Sequence, residues 1–145
     1  MSYIISQSSE KECRLLAELR VVAMQESLEA LGRFDPVRAR ERFLSGFDAA
    51  TTWTVKVEQE LIGFYTYEPK IDHIWIGHLY IHPNYQSTGL GGKLLTELML
   101  RAKQAGFPIR LGALKGSRSN EFYIKHGFKL THEEEWDNYY EYKNC

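Results

Sequence analysis

The run Gln86-Ser87-Thr88-Gly89-Leu90-Gly91-Gly92-Lys93 has the residue types and order of an anion site. An apolar strand ending at Tyr80-Ile81 meets a turn at Pro83, then this polar glycine-rich loop, then an amphipathic helix. The first turn of a helix carries unpaired backbone N–H groups and a partial positive charge, and glycines let a phosphate come close. The chemistry expected here is the binding of a phosphate-bearing cofactor.

Two familiar nucleotide patterns are incomplete in this loop. A P-loop needs G-x-x-x-x-G-K-S/T, but Ser87 stands at the first Gly and Leu94 follows Lys93. A dinucleotide fingerprint needs G-x-G-x-x-G, but Leu94 takes the third Gly position after Gly89 and Gly91. That fingerprint also opens a parallel sheet, whereas strands already precede this loop.

The elements that must position the loop are readable from capping and periodicity. Tyr3 to Ser6 reads as a strand, and Ser9 with Glu12 forms a capping box that starts a helix reaching Leu31-Gly32. Asp35-Pro36 opens a second helix ending near Gly46. Thr51 to Glu58 and Leu61 to Tyr67 alternate as a hairpin, and Ile71 to Ile81 reads as one long central strand with a bulge or close backbone approach at Gly77. Leu90, Leu94, Leu98 and Ala102 mark the buried face of a third helix. Ile109 to Leu114 is a buried strand, Ser117 caps a helix stopping at His126-Gly127, and Phe128 to Thr131 pairs with Trp136 to Tyr142. The order β-αα-βββ-α-β-α-ββ predicts an α+β fold with a mixed central β-sheet flanked by helices, in a single domain spanning residues 1–145.

Composition narrows the function classes. A chain of 145 residues that is 43% apolar can build a core. A net charge of -1, without a Lys/Arg stripe interleaved with aromatics, argues against nucleic acid. No window approaches a membrane span, and the N-terminus has neither the basic nor the apolar region of a signal peptide. Cys13 and Cys145 form no CxxC or disulfide framework. The expectation is a cytoplasmic protein with chemically idle thiols and no bound metal.

Three segments together resemble one family. Gln86 to Gly91 fits the loop Q/R-x-x-G-x-G/A, Leu79-Tyr80-Ile81-His82-Pro83 resembles the strand end L-x-V-x-P, and Phe122 to Phe128 resembles F-Y-x-K-x-G-F. These are features of the GCN5-related N-acetyltransferases, and the resemblance covers about residues 71 to 130. It implies a GNAT-like acyl-CoA N-acyltransferase fold with acetyl-CoA as cofactor. The backbone amides of Gln86, Ser87, Thr88, Gly89, Leu90, Gly91 and Gly92 would then hold the CoA pyrophosphate, with Lys93 as an added cation. Gln86 stands where many relatives have Arg. The backbone of Leu79, Tyr80 and Ile81 would lie along the pantetheine arm.

The implied reaction is direct attack of a primary amine on a thioester in a ternary complex, which needs a neutral amine, a polarised carbonyl and a proton for the leaving thiolate. Tyr123 matches the position of the family's general acid. Many relatives carry a Glu base on the fourth strand. Residues 71–81 contain none, and His78, next to Leu79, is the candidate. Ser117 replaces the family's usual Asn, and Asn120 is a further candidate cofactor contact. The missing Glu and Asn keep a second reading open, an acyl-CoA-binding regulatory module without catalysis.

The acceptor would be a small-molecule amine or a protein amino group. Leu15, Leu19 and Val22 form a stripe on the first helix that continues to Glu26 and Glu29, so a core-facing stripe would carry these acids into a cleft. They and Asp35 would recruit a cation, with Phe34, Trp75, Tyr139 and Tyr140 as aromatic walls. Relatives often dimerise, so a homodimer is expected as well.

Overall fold

A computed structural model describes residues 2–143. In chain order its elements are β1 (Ile4–Gln7), α1 (Cys13–Ala30), α2 (Pro36–Gly46), β2 (Thr52–Val57), β3 (Glu60–Thr66), β4 (Glu68–Pro69), β5 (Ile74–Ile76), β6 (Leu79–Ile81), α3 (Leu90–Ala105), β7 (Ile109–Leu114), α4 (Arg118–Lys125), β8 (Lys129–Glu133) and β9 (Asp137–Tyr142). The class is α+β, with helices and mixed sheet as expected. The chain falls into two compact units, Met1–Thr66 with His78–Leu90 and Tyr67–Gly77 with Gly91–Cys145.

The first unit carries the sheet β1-β2-β3-β6, antiparallel throughout. Before α1, the Ser9 N–H donates to Glu12 Oε1 at 2.9 Å, and a 3-10 turn over Glu10–Glu12 leads into the helix. Gly32, at φ +66, ends the segment. The α2 start is as read: Asp35 Oδ1 accepts the Arg38 N–H at 3.1 Å, with Pro36 in first place. Leu16, Ala17 and Leu19 of α1 pack with Phe43 of α2 and Phe64 of β3, joined by Phe47, Leu61 and Tyr80. Each large side chain buried here contributes roughly 1.5–3 kcal/mol.

Two expectations are corrected by these elements. The buried stripe of α1 runs through Leu16 and Leu19, while Leu15 is 61% and Val22 40% exposed. The helix is apolar on several sides, so spacing alone selects the wrong face. The second correction concerns residues 71–81, which form two short strands in two sheets. β6 pairs with β3, and β5 pairs with β4 and β7. The chain changes ladder at Gly77-His78.

Gly63 has a steric reason to be glycine. A Cβ there would lie 2.7 Å from the Tyr80 carbonyl oxygen and 2.8 Å from Ile81 Cδ1. The register Gly63↔Ile81 brings β3 and β6 that close.

The second unit carries the sheet β4-β5-β7-β9-β8, in which β5 and β7 are parallel. Ile109, Leu111 and Ala113 alternate inward along β7. Leu94, Leu98 and Ala102 of α3 are buried at the expected spacing, as is Leu90 at its start. Ile74, Ile76, Tyr123, Phe128 and Tyr140 are buried too. No described helix is long and apolar enough to cross a membrane. Cys13 is a free thiol, and Cys145 lies outside the described residues.

Candidate active site

The loop after β6 is held by its own polar groups. The His82 N–H donates to the Ile62 carbonyl at 2.7 Å, the Tyr85 N–H to His82 at 2.8 Å, and the Thr88 hydroxyl to the Tyr85 carbonyl at 2.6 Å. The Gln86 side chain donates from Nε2 to the Ile81 carbonyl at 2.9 Å, so it braces the strand end. Ser87 at φ +65 and Gly89 at φ +85 are both left-handed. Left-handed residues alternating with others curve the backbone so that successive N–H groups line a concavity. Gln86 through Gly89 are exposed, and a Cβ on Gly89 would meet nothing within 4 Å. The amides of Ser87, Thr88 and Gly89 have no internal partner among the described residues. The following helix, α3, is 16 residues long; helix geometry gives its first amides no intrahelical partner, and the Leu90 N–H donates to Thr88 Oγ1 at 3.4 Å. A phosphate group fits this arrangement. Lys93 is exposed in the first turn.

Also in the first unit, His78 sits among rings. Its centroid is 5.5 Å from Phe43, 6.0 Å from Phe64 and 5.5 Å from Tyr80, and Nδ1 is 3.4 Å from the Tyr80 hydroxyl. Burial pushes its pKa from 6.5 down to about 4, and the nearby Arg20 charge acts in the same direction. The imidazole is therefore neutral at pH 7, with a nitrogen free of its proton. Leu79, Tyr80 and Ile81 are half-buried on β6.

In the second unit, a Cβ on Gly91 would lie 3.5 Å from the Phe122 ring, and one on Gly92 would lie 3.3 Å from His126 Nε2. The start of α3 and the end of α4 thus approach closely at two glycines. Tyr123 is buried, with its ring 5.6 Å from Phe128 and 6.2 Å from Tyr140. Ser117 takes the N-cap position of α4 without a side-chain cap bond. Asn120 is fully engaged: Nδ2 donates to the carbonyls of Leu114 (2.9 Å) and Ser117 (3.0 Å), and Oδ1 accepts from Asn138 Nδ2 (3.0 Å) and the Tyr140 hydroxyl (2.8 Å). With both amide ends satisfied, the side chain ties α4 to β7 and β9.

The acceptor-side residues divide between the units. Glu26 and Glu29 are exposed on α1, because they share the solvent-facing stripe of Leu15 and Val22. Asp35 is committed to its cap, and Phe34 is half-buried before α2. In the second unit Trp75 stacks on Tyr139 at 6.4 Å, and Tyr140 is buried.

The profile of the acetyltransferase (GNAT) domain matches residues 48–130, more than half of the chain. The chain belongs to the GNAT family. No curated protein sequence matches it. Solved structures share the fold of this GNAT chain. The PaiA N-acetyltransferase from Thermoplasma acidophilum, solved in complex with coenzyme A, superposes with a TM-score of 0.82 at 20% identity, covering 99% of this chain and 100% of that one. An acetyltransferase from Thermus thermophilus gives 0.77 at 13% identity, covering 98% and 97%. The ribosomal-protein-S18-alanine N-acetyltransferase from Escherichia coli gives 0.70 at 14% identity, covering 97% and 91%.

Two residues of this GNAT chain were not legible as site candidates. Arg20 stands beside the buried stripe of α1, four residues after Leu16, with a covered Nε. Its signal was a charge at a core-stripe spacing. Thr66 holds His78 in place across the ladder change, through two hydrogen bonds that pair it with the strand break. No sequence signal marks that partnership.

Proposed function

We propose that the chain is an acetyl-CoA-dependent N-acetyltransferase that moves an acetyl group to a primary amine by direct attack in a ternary complex. The observation that carries this reading is the exposed loop Gln86–Gly89, with left-handed Ser87 and Gly89, running into α3 in a chain of the GNAT family. Acetyl-CoA supplies the acetyl thioester. The amides from Ser87 to Gly92 hold its diphosphate, and Lys93 adds charge from the first turn. The backbone of Leu79, Tyr80 and Ile81 lines the pantetheine arm.

Transfer forms the amide C–N bond, breaks the C–S bond, removes one proton from the amine and delivers one to sulfur. The neutral His78 ring accepts the amine proton at a ring nitrogen, and the Tyr123 hydroxyl donates to the departing thiolate. Ser117 and Asn120 keep α4, and so Tyr123, in position. Phe34 and Trp75 serve the acceptor, and Glu26 and Glu29 act from the exposed end of α1. The same reading takes residues 1–145 as one transferase domain working in the cytoplasm, as a homodimer.

The test is release of free CoA thiol from acetyl-CoA across a panel of primary amines. Amine-dependent release supports the transferase. Tight acetyl-CoA binding with no release on any amine would instead identify a binding module.

A further inference from the structure

The buried face of α1 is apolar at Leu16, Ala17 and Leu19, and a guanidinium follows directly at Arg20. A guanidinium has five N–H donors in a planar fork and stays charged in any protein. Here Arg20 Nη1 donates to the Ala39 carbonyl of α2 at 2.9 Å. Its Nε is covered from solvent and has no hydrogen-bond partner. Arg20 forms no ion pair among the described residues, whereas Arg40 pairs with Glu18 and Arg110 Nε lies 2.8 Å from Glu141 Oε2. Its charge acts on the titration of His78, whose Nδ1 lies 3.4 Å from the Tyr80 hydroxyl. The neutral His78 ring is no anion.

A buried guanidinium N–H without an acceptor is costly for a fold to keep, and the half-buried Arg20 carries its charge with no carboxylate beside it. The planar fork matches a carboxylate in a bidentate manner. Arg20 also neighbours His78, the proposed proton acceptor for the amine. We propose that Arg20 recognises a carboxylate on the acceptor, so that the acceptor is a small amino acid and not a polyamine. The proposal rests on the transferase reading above. A polyamine would bring a second cation against Arg20, whereas an amino acid offers a carboxylate to Arg20 and an amine to His78.

The experiment compares kcat/KM for matched pairs, L-phenylalanine with 2-phenylethylamine and L-lysine with cadaverine, by CoA thiol release. The wild type should favour the carboxylated member by about tenfold or more, as a charge-assisted bond allows. Arg20→Gln should bring that ratio near one, and Arg20→Lys should retain part of it. Because the ratio is internal to each variant, a general loss of stability does not imitate the effect. Equal or inverted wild-type ratios, or an unchanged ratio in Arg20→Gln, would overturn the proposal. If no amine supports thiol release, the transferase reading itself fails. Calorimetry with N-acetyl-L-phenylalanine against N-acetyl-2-phenylethylamine then decides the role of Arg20. Binding of the carboxylated probe alone, lost in Arg20→Gln, supports carboxylate recognition, and equal or absent binding overturns it.

Discussion

Thr66 and His78 hold each other by two hydrogen bonds. The His78 N–H donates to the Thr66 hydroxyl at 3.0 Å, and the Thr66 N–H donates to the His78 carbonyl at 3.0 Å. A side chain thus completes a pairing at the point where the strand is interrupted. Thr66→Val keeps the shape and removes the acceptor, leaving the half-buried His78 N–H unsatisfied. The expected loss is about 1–3 kcal/mol, read as a lower urea midpoint with an unchanged m-value.

The neutral state of His78 ties stability to pH. Its folded pKa, about 4, lies below its ordinary value of 6.5. Above pH 6.5 both folded and unfolded chains leave it neutral. Between pH 6.5 and 4 the unfolded chain gains the proton and the folded chain does not, so stability falls as pH falls. The span corresponds to up to about 3 kcal/mol. Urea midpoints from pH 7 to 4 should drop less steeply in His78→Phe, which keeps a ring and removes the titration. A rate limb due to His78 should likewise fall near pH 4, and a His78-dependent limb near neutrality would contradict the neutral, buried ring.

Tyr123→Phe separates acid catalysis from packing. The phenyl ring preserves the contacts with Phe128 and Tyr140. We expect kcat to fall by about 10²-fold or more with little change in melting temperature. Turnover within about twofold of wild type would remove Tyr123 from the mechanism.

Asn120→Ala should behave in the opposite way. It deprives the Tyr140 hydroxyl and Asn138 Nδ2 of their acceptor. A loss of about 2–3 kcal/mol is expected. The affinity for CoA, measured well below the melting temperature, should change much less. A large affinity loss with unchanged stability would place Asn120 on the cofactor instead.

Helix starts and ends were legible because they rest on local chemistry. Asp35-Pro36 and Gly32 act within one turn, and the four-residue spacing from Leu90 to Ala102 has one apolar face. Residues 71–81 were not legible as two strands, because β-like composition does not say which neighbour a strand pairs with. The face of α1 was misread because Leu15, Leu16, Leu19 and Val22 support two stripes, and only the partners Phe43 and Phe64 choose between them. The exposed turn between β6 and α3 was legible from its glycines. Arg20 was hidden because its meaning depends on what fails to stand opposite it.

Gly63 places a hydrogen atom where any other residue would place carbon, beneath the carbonyl of Tyr80. The position of β6 is therefore set from behind, by the smallest side chain available. An inserted methyl group would act as a spacer, displacing the very backbone that the transferase reading lays along the pantetheine arm. Mutagenesis aimed at widening acyl-chain tolerance has a lever at this position.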